Sequence, residues 1–191
     1  MAVESTMLPL GTVAPDFALA DPSGATHRRD DFADAPVLVV AFLCNHCPYV
    51  KHIRRELALT AQALQSQAVA VVGINSNDAD AYPDDSPAAM ADEIRQVGYP
   101  FPYLVDETQE VAKAYGAACT PDFYVFDGER KLVYRGQFDA SRPGSREPVT
   151  GADLRAAVDA VLSGSSPDGT QRPSMGCGIK WKPGNAPEYA R

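Results

Sequence analysis

No stretch of this chain approaches 18 consecutive apolar residues, so nothing in it reads as a bilayer-spanning helix. A basic surface is missing too. Seventeen Lys and Arg stand against 25 Asp and Glu, a net charge of −8, and a chain of that sign repels phosphate backbones. No basic amphipathic helix marks a membrane surface. Met1 to Leu10 has no basic residue ahead of a long apolar stretch, which is not the pattern of a secretory signal. There is no internal repeat. Cysteine is sparse at four in 191 residues, and a chain of this length buries enough core to fold without disulfides. These absences point to one cytoplasmic domain with neither a nucleic-acid nor a membrane partner. Its cysteines are then expected to serve redox or metal chemistry.

What is present alternates strand and helix patterns. Asp16 to Ala20 followed by Asp21-Pro22-Ser23-Gly24 reads as a short N-terminal hairpin. Val37 to Leu43 is an unbroken apolar run, as in a strand buried on both faces. Val50, Ile53, Leu57, Ala61 and Leu64 recur at helical spacing, and Val69 to Ile74 is a second buried strand, so the unit is a parallel pair with a right-handed crossover. Ser86-Pro87 starts a further helix that Gly98 stops. Pro100 to Val105 enters a short strand, and Gln109 to Tyr115 is a short helix. Asp122 to Phe126 and Leu132 to Arg135 are joined through Asp127-Gly128 and must run antiparallel. Thr150 with Asp153 predicts a capping box for a last helix bearing Leu154, Ala157, Val158, Val161 and Leu162. The expected class is therefore α/β, a mixed central sheet flanked by helices, with an N-terminal β-hairpin and an inserted helix. Residues 1–163 make the domain. Residues 164–191 form a linker and an irregular tail without period, which Trp181 anchors by apolar burial.

Chemistry concentrates at Cys44-Asn45-His46-Cys47, directly after the first buried strand, where open α/β sheets place their sites. Two cysteines at this spacing can close a small disulfide ring. At the first turn of a helix, free N–H groups and the positive dipole end favour a thiolate. The expectation is an exposed Cys44 at the cap and a more covered Cys47 one turn in. A protonated His46 would add positive charge near Cys44 and make the pair more oxidising. Pro48 lacks a donor that a first turn does not need. The competing reading is a zinc half-site. No second C-x-x-C or H-x-x-H completes it, which leaves only Cys119 and Cys177 as further thiolates.

Thr120-Pro121 precedes the strand DFYVF, in a loop expected beside the start of the cysteine-bearing helix. A cis bond there would expose the Thr120 backbone for strand-like pairing with an extended substrate. With Ala14-Pro15-Asp16-Phe17, Val37 to Cys47 and this Thr-Pro, the chain resembles the thioredoxin-like redoxin superfamily, which includes the alkyl hydroperoxide reductase/thiol-specific antioxidant group and the thiol-disulfide reductases. CNHCPYVKHI, GINSND, AKAYGAACTPDFYVFD and GCGIKWKPGN are similar to a set of small cytosolic thioredoxin-like proteins. The resemblance implies a thioredoxin fold, nucleophile Cys44, resolving thiol Cys47 and a cis peptide at Thr120-Pro121. It also implies a redox-active disulfide without bound cofactor, reset by an external thiol, with a protein or small-molecule disulfide as partner. Two departures stand out. Ala41 occupies the place of the peroxide-holding Thr of a peroxiredoxin, and apolar Leu38 that of the buried Asp of thioredoxins. The base for Cys47 is then His46 or water. Thiol-dependent peroxidase activity, through a sulfenic acid on Cys44, and a non-enzymatic metal-binding role stand as alternatives.

The remaining candidates have two readings each. Cys119 is an extra thiol sampling exchange or a small buried side chain, the ordinary fate of a free cysteine. Cys177 is a mobile second resolving thiol, a partner for Cys119, or a packed tail residue. His52 reads as part of a solvated helix face. Asp78, Asp80, Asp84 and Asp85 read as a solvated loop and helix cap, lacking the glycine and glutamate of a calcium loop. Asn75 and Asn77 line the site or make turn hydrogen bonds, the latter being usual at a strand end.

Overall fold

The computed structural model describes residues 2–190. In chain order the elements are β1 (Ala2–Glu4), β2 (Ala18–Ala20), β3 (Thr26–Arg28), β4 (Leu38–Phe42), α1 (Pro48–Gln65), β5 (Ala70–Asn75), α2 (Pro87–Val97), β6 (Tyr103–Val105), α3 (Glu110–Ala114), β7 (Cys119–Thr120), β8 (Asp122–Phe126), β9 (Leu132–Gly136), α4 (Ala152–Leu162) and β10 (Met175–Gly178). Seven strands make a mixed sheet in the order β3-β2-β6-β5-β4-β8-β9. β5 runs parallel to both β4 and β6, while β8 is antiparallel to β4 and β9.

β4 is the centre of the molecule because its apolar run has no polar face to turn outward. Val37, Val39, Ala41 and Leu43 pack under α1, α2 and α4; Leu38, Val40 and Phe42 pack against α3 and the N-terminal hairpin. Alternation along a pleated strand assigns successive residues to opposite cores. The α1 stripe Val50, Ile53, Leu57, Ala61 and Leu64 is buried as its spacing predicts. Ser86 caps α2, its Oγ accepting from the Ala89 N–H at 3.3 Å, and Gly98 closes it at φ 78°. Among the described residues, no helix is long and apolar enough to cross a membrane.

Two expectations are corrected. The capping box at the last helix does not form. Gly151 is the N-cap at φ 65°, and the Asp139 carboxylate accepts from the Thr150 and Gly151 N–H groups at 2.7 Å each. A carboxylate from another loop thus replaces the local cap. The tail is also not wholly irregular: β10 is the middle strand of a second sheet, β1-β10-β7, antiparallel to both neighbours. Met-Gly-Cys-Gly is too short and too rich in glycine to show a strand period. Trp181 does pack on the core, as a half-buried neighbour of the α3-side cluster.

Phe42 is fully buried and meets the ring edges of Tyr115 and Tyr124. Phe42→Ala is expected to cost about 3–5 kcal/mol in denaturant unfolding. Leu59→Ala, at a site 58% exposed on α1, is expected to move stability by less than about 0.5 kcal/mol. Equal effects would misplace the core.

Candidate active site

β4 delivers the chain to Leu43 and Cys44, and three residues later α1 begins. Pro48 sets where. A residue before proline is pushed to extended backbone, and Cys47 is accordingly the N-cap of α1 at φ −65°, ψ 125°. Cys44 therefore lies in the loop before the helix rather than at its cap. Nor is it the exposed sulfur: Cys44 is 1% and Cys47 0% accessible.

Thr120 joins the two. Cys44 Sγ lies 3.0 Å from the Thr120 hydroxyl, and Cys47 Sγ donates to the Thr120 carbonyl at 3.2 Å. The Thr120–Pro121 bond is cis. The Thr120 edge is not free, however. Cys177 of β10 sits opposite Thr120 in the ladder, and Gly178 opposite Cys119. The protein's own tail occupies the pairing edge expected to be open to substrate.

Protonation divides the pair. The Cys44 thiol is pushed far up, first by its hydrogen bond with Cys47, then by burial and the Asp85 carboxylate. Cys47 is lowered to about 5, first by Cys44; the Cys177 side chain and the N–H groups of Val50 and Cys177 add to this and together outweigh burial. The direction is thus the reverse of the expected one: of the two thiols, Cys47 is the one whose ionisation is favoured. The cause is geometric. Cys47, at the start of α1, has the Val50 N–H to favour its charge, whereas Cys44 faces the Asp85 carboxylate.

That carboxylate was invisible in the sequence. Asp85 is 2% exposed, not solvated. Its Oδ1 accepts from the Asn45 N–H at 2.7 Å and the Asn75 side chain at 3.3 Å. Its Oδ2 meets His46 Nδ1 at 2.6 Å and accepts from the Asn77 side chain at 2.8 Å. Asn77 also makes the anticipated turn bond, its N–H donating to Asn75 Oδ1 at 3.0 Å. Asp78 is buried as well, while Asp80 and Asp84 are exposed. Half-buried His46 stacks on Tyr82 at 5.5 Å. Nothing in the run of acids distinguishes Asp85 from Asp84; only the unpaired N–H of Asn45 required an acceptor from somewhere.

Other candidates take clear places. Cys119 is fully buried, its Sγ 3.9 Å from the Pro121 carbonyl, and burial pushes its thiol up. Half-exposed Cys177 is pushed up to about 11, chiefly by burial. His52 is not simply solvated: its Nε2 lies 3.1 Å from Ser141 Oγ, in a cleft that Pro121 and Tyr49 also line. Asp122, next after Pro121, was overlooked. Burial pushes its carboxyl up to about 7, against the Tyr124 hydroxyl that donates to it at 2.9 Å. Among the described residues, one group of Cys, His and acidic side chains lies close enough to share an ion: Cys44, His46 and Asp85, with ligand atoms within 4.8 Å of one another. Cys119 and Cys177 do not join it. Both Asp85 oxygens already take two hydrogen bonds each, so an ion there would have to displace donors.

Residues 10–135, which hold Cys44, Cys47 and Thr120-Pro121, match the AhpC/TSA family. The chain belongs to that family. Cys177 lies outside the matched residues. A hypothetical protein from Sinorhizobium meliloti is 54% identical and superposes with a TM-score of 0.94, over 95% of this chain and 99% of that one. The thiol-disulfide oxidoreductase ResA of Geobacillus thermodenitrificans is 27% identical over 132 residues, 68% of this chain and 70% of its own length. A putative thiol:disulfide interchange protein from Chlorobium tepidum, 19% identical, gives a TM-score of 0.65 over 81% of this chain and 99% of its own. The fold of this AhpC/TSA member is thus thioredoxin-like.

Asp85→Asn removes the charge beside Cys44 while keeping the side-chain shape. The pH at which Cys44 is alkylated by iodoacetamide is expected to fall; an unchanged profile would remove Asp85 from the electrostatics of Cys44. Asp122 titrates higher in the folded chain than its ordinary value, so the folded state holds this proton more tightly than the unfolded one. Its stabilising effect is full below about pH 4 and is lost as pH rises toward about 7. Asp122→Asn should therefore gain on the natural chain in denaturant midpoint between about pH 4 and pH 8. A pH-independent difference would contradict the raised carboxyl.

Proposed function

We propose that this protein is a thiol-disulfide oxidoreductase that works through a Cys44/Cys47 couple. The observation that carries the reading is the buried pair of sulfurs beside the two oxygens of Thr120, Cys44 Sγ 3.0 Å from its hydroxyl and Cys47 Sγ 3.2 Å from its carbonyl. The names of ResA and of the Chlorobium tepidum protein support it.

On this reading, Cys47 is the base that activates Cys44. Leu38 supplies no carboxylate, but the Cys47 thiolate accepts the Cys44 proton. As Cys44 Sγ attacks a substrate disulfide, its proton passes to Cys47, the substrate S–S bond breaks, and one substrate thiolate leaves. That thiolate takes the proton back, directly or through His46, which with Asp85 lies within 4.8 Å of the Cys44 sulfur. Cys47, again a thiolate, attacks Cys44 Sγ, closes the Cys44–Cys47 disulfide and expels the second thiolate. Two electrons move from the protein to the substrate. An external thiol in the cytoplasm restores the dithiol, and no bound cofactor takes part. With both sulfurs buried and the Thr120 edge taken by β10, a small disulfide fits the resting site better than an extended peptide. Peroxidase chemistry has family membership in its favour, but buried Ala41 offers no hydroxyl to hold a peroxide.

Cys47→Ser, which lacks the base for Cys44, is expected to accumulate a mixed disulfide with glutathione disulfide through Cys44 at alkaline pH, located by peptide mass mapping. Adducts that form only through Cys47, in Cys44→Ser, would reverse the two roles. In stopped-flow mixing with hydrogen peroxide, the reduced protein is expected to react no faster than free cysteine. A rate orders of magnitude higher would install the peroxidase reading instead.

A further inference from the structure

Cys47 has a further cysteine near it. Cys177 packs against the core cluster that holds Cys44 and Cys47, and its side chain and N–H help to lower the Cys47 thiol. The approach is built into the strand. Cys177 stands opposite Thr120 across the β10–β7 ladder, and the Thr120 carbonyl is the group that accepts from Cys47 Sγ. Gly176 permits this closeness: a Cβ there would lie 1.9 Å from the Thr120 oxygen and 3.1 Å from Pro121 Cδ. The outer edge of β10 is held by β1, with Ala2 opposite Cys177. Its exit is pinned to the site itself. The Lys180 N–H donates to Asn77 Oδ1 at 2.8 Å, the Lys180 carbonyl accepts from the Asp78 N–H at 2.8 Å, and Lys180 Nζ lies over the Tyr82 ring on which His46 stacks.

We propose that Cys177 is a third redox thiol that carries the disulfide outward, from Cys44–Cys47 to Cys47–Cys177. The proposal rests on the oxidoreductase reading and extends it past the first two sulfurs. Cys177 gives up its proton and its Sγ attacks Cys47 Sγ. The Cys47–Cys177 bond forms, the Cys44–Cys47 bond breaks, and Cys44 leaves as a thiolate that takes up a proton. No electrons enter or leave in this exchange. The Lys180 ammonium favours the attacking thiolate. Reduction then needs two electrons from an external thiol. That thiol meets a disulfide whose Cys177 end is half-exposed, whereas Cys44 and Cys47 are both buried. Substrate and reductant would thus use different sulfurs of one relay.

The test oxidises the full-length protein and its variants with diamide and maps disulfides by mass spectrometry, after circular dichroism has shown that each variant is folded. Cys44→Ser is expected to form an intramolecular Cys47–Cys177 disulfide. Gly176→Val, which itself removes no cysteine but pushes β10 off Thr120, should lose most of that link when combined with Cys44→Ser. Cys177→Ser should recycle with an external thiol about tenfold more slowly than the natural chain. If Cys44→Ser yields no Cys47–Cys177 link while the natural chain still closes Cys44–Cys47, Cys177 is a packing residue and this inference is overturned, with the oxidoreductase reading intact. If the natural chain closes neither bond, both fall.

Discussion

Thr120 holds one sulfur with its hydroxyl and the other with its carbonyl, and the site is organised around that double contact. Two thiols brought together in a buried space share protons rather than titrate alone. The partition then follows from what else each sulfur sees. Cys47 sees the Val50 N–H at the start of α1 and the Cys177 N–H of β10. Cys44 sees the Asp85 carboxylate. A helix terminus favours one sulfur's charge while a buried acid opposes it on the other. Under the proposed mechanism, the second cysteine is the base for the first before it becomes the resolving group.

Asp85 and Thr120 belong to separate layers of the molecule. Asp85 comes from the segment that leads into α2 and binds the backbone of Asn45, the ring of His46 and the side chains of Asn75 and Asn77. It ties the carboxyl end of β5 to the cysteine loop. Thr120 comes from β7 and ties that loop to the tail through β10. The tail closes the circuit at Lys180, which returns to Asn77. The tail therefore meets both Thr120, which lies against the sulfurs, and Asn77, which binds Asp85.

The central strands and main helices were legible because their signals are local. VLVVAFL is too apolar to face water on either side, and the α1 stripe has an unambiguous helical period. The C-x-x-C motif and Thr120-Pro121 are likewise readable as spacings. What could not be read depends on partners distant in sequence. Cys44 is buried by Thr120, 76 residues away, not by its own helix. Asp85 is buried by a loop 40 residues before it. β10 is a strand only because β1 and β7 flank it, and two of its four residues are glycines that carry no pattern. The Asp139 cap on α4 overrides a plausible local box for the same reason.

The central claim is a reversible Cys44–Cys47 couple, and an equilibrium titration in glutathione buffers tests it most directly. With Cys119 and Cys177 replaced by serine, alkylation followed by mass spectrometry counts the two remaining thiols at each poise. The account predicts that they vanish together in one two-electron transition, about 30 mV per tenfold change in the equilibrium constant. Two thiols that disappear separately, each as a mixed disulfide with glutathione, would contradict it.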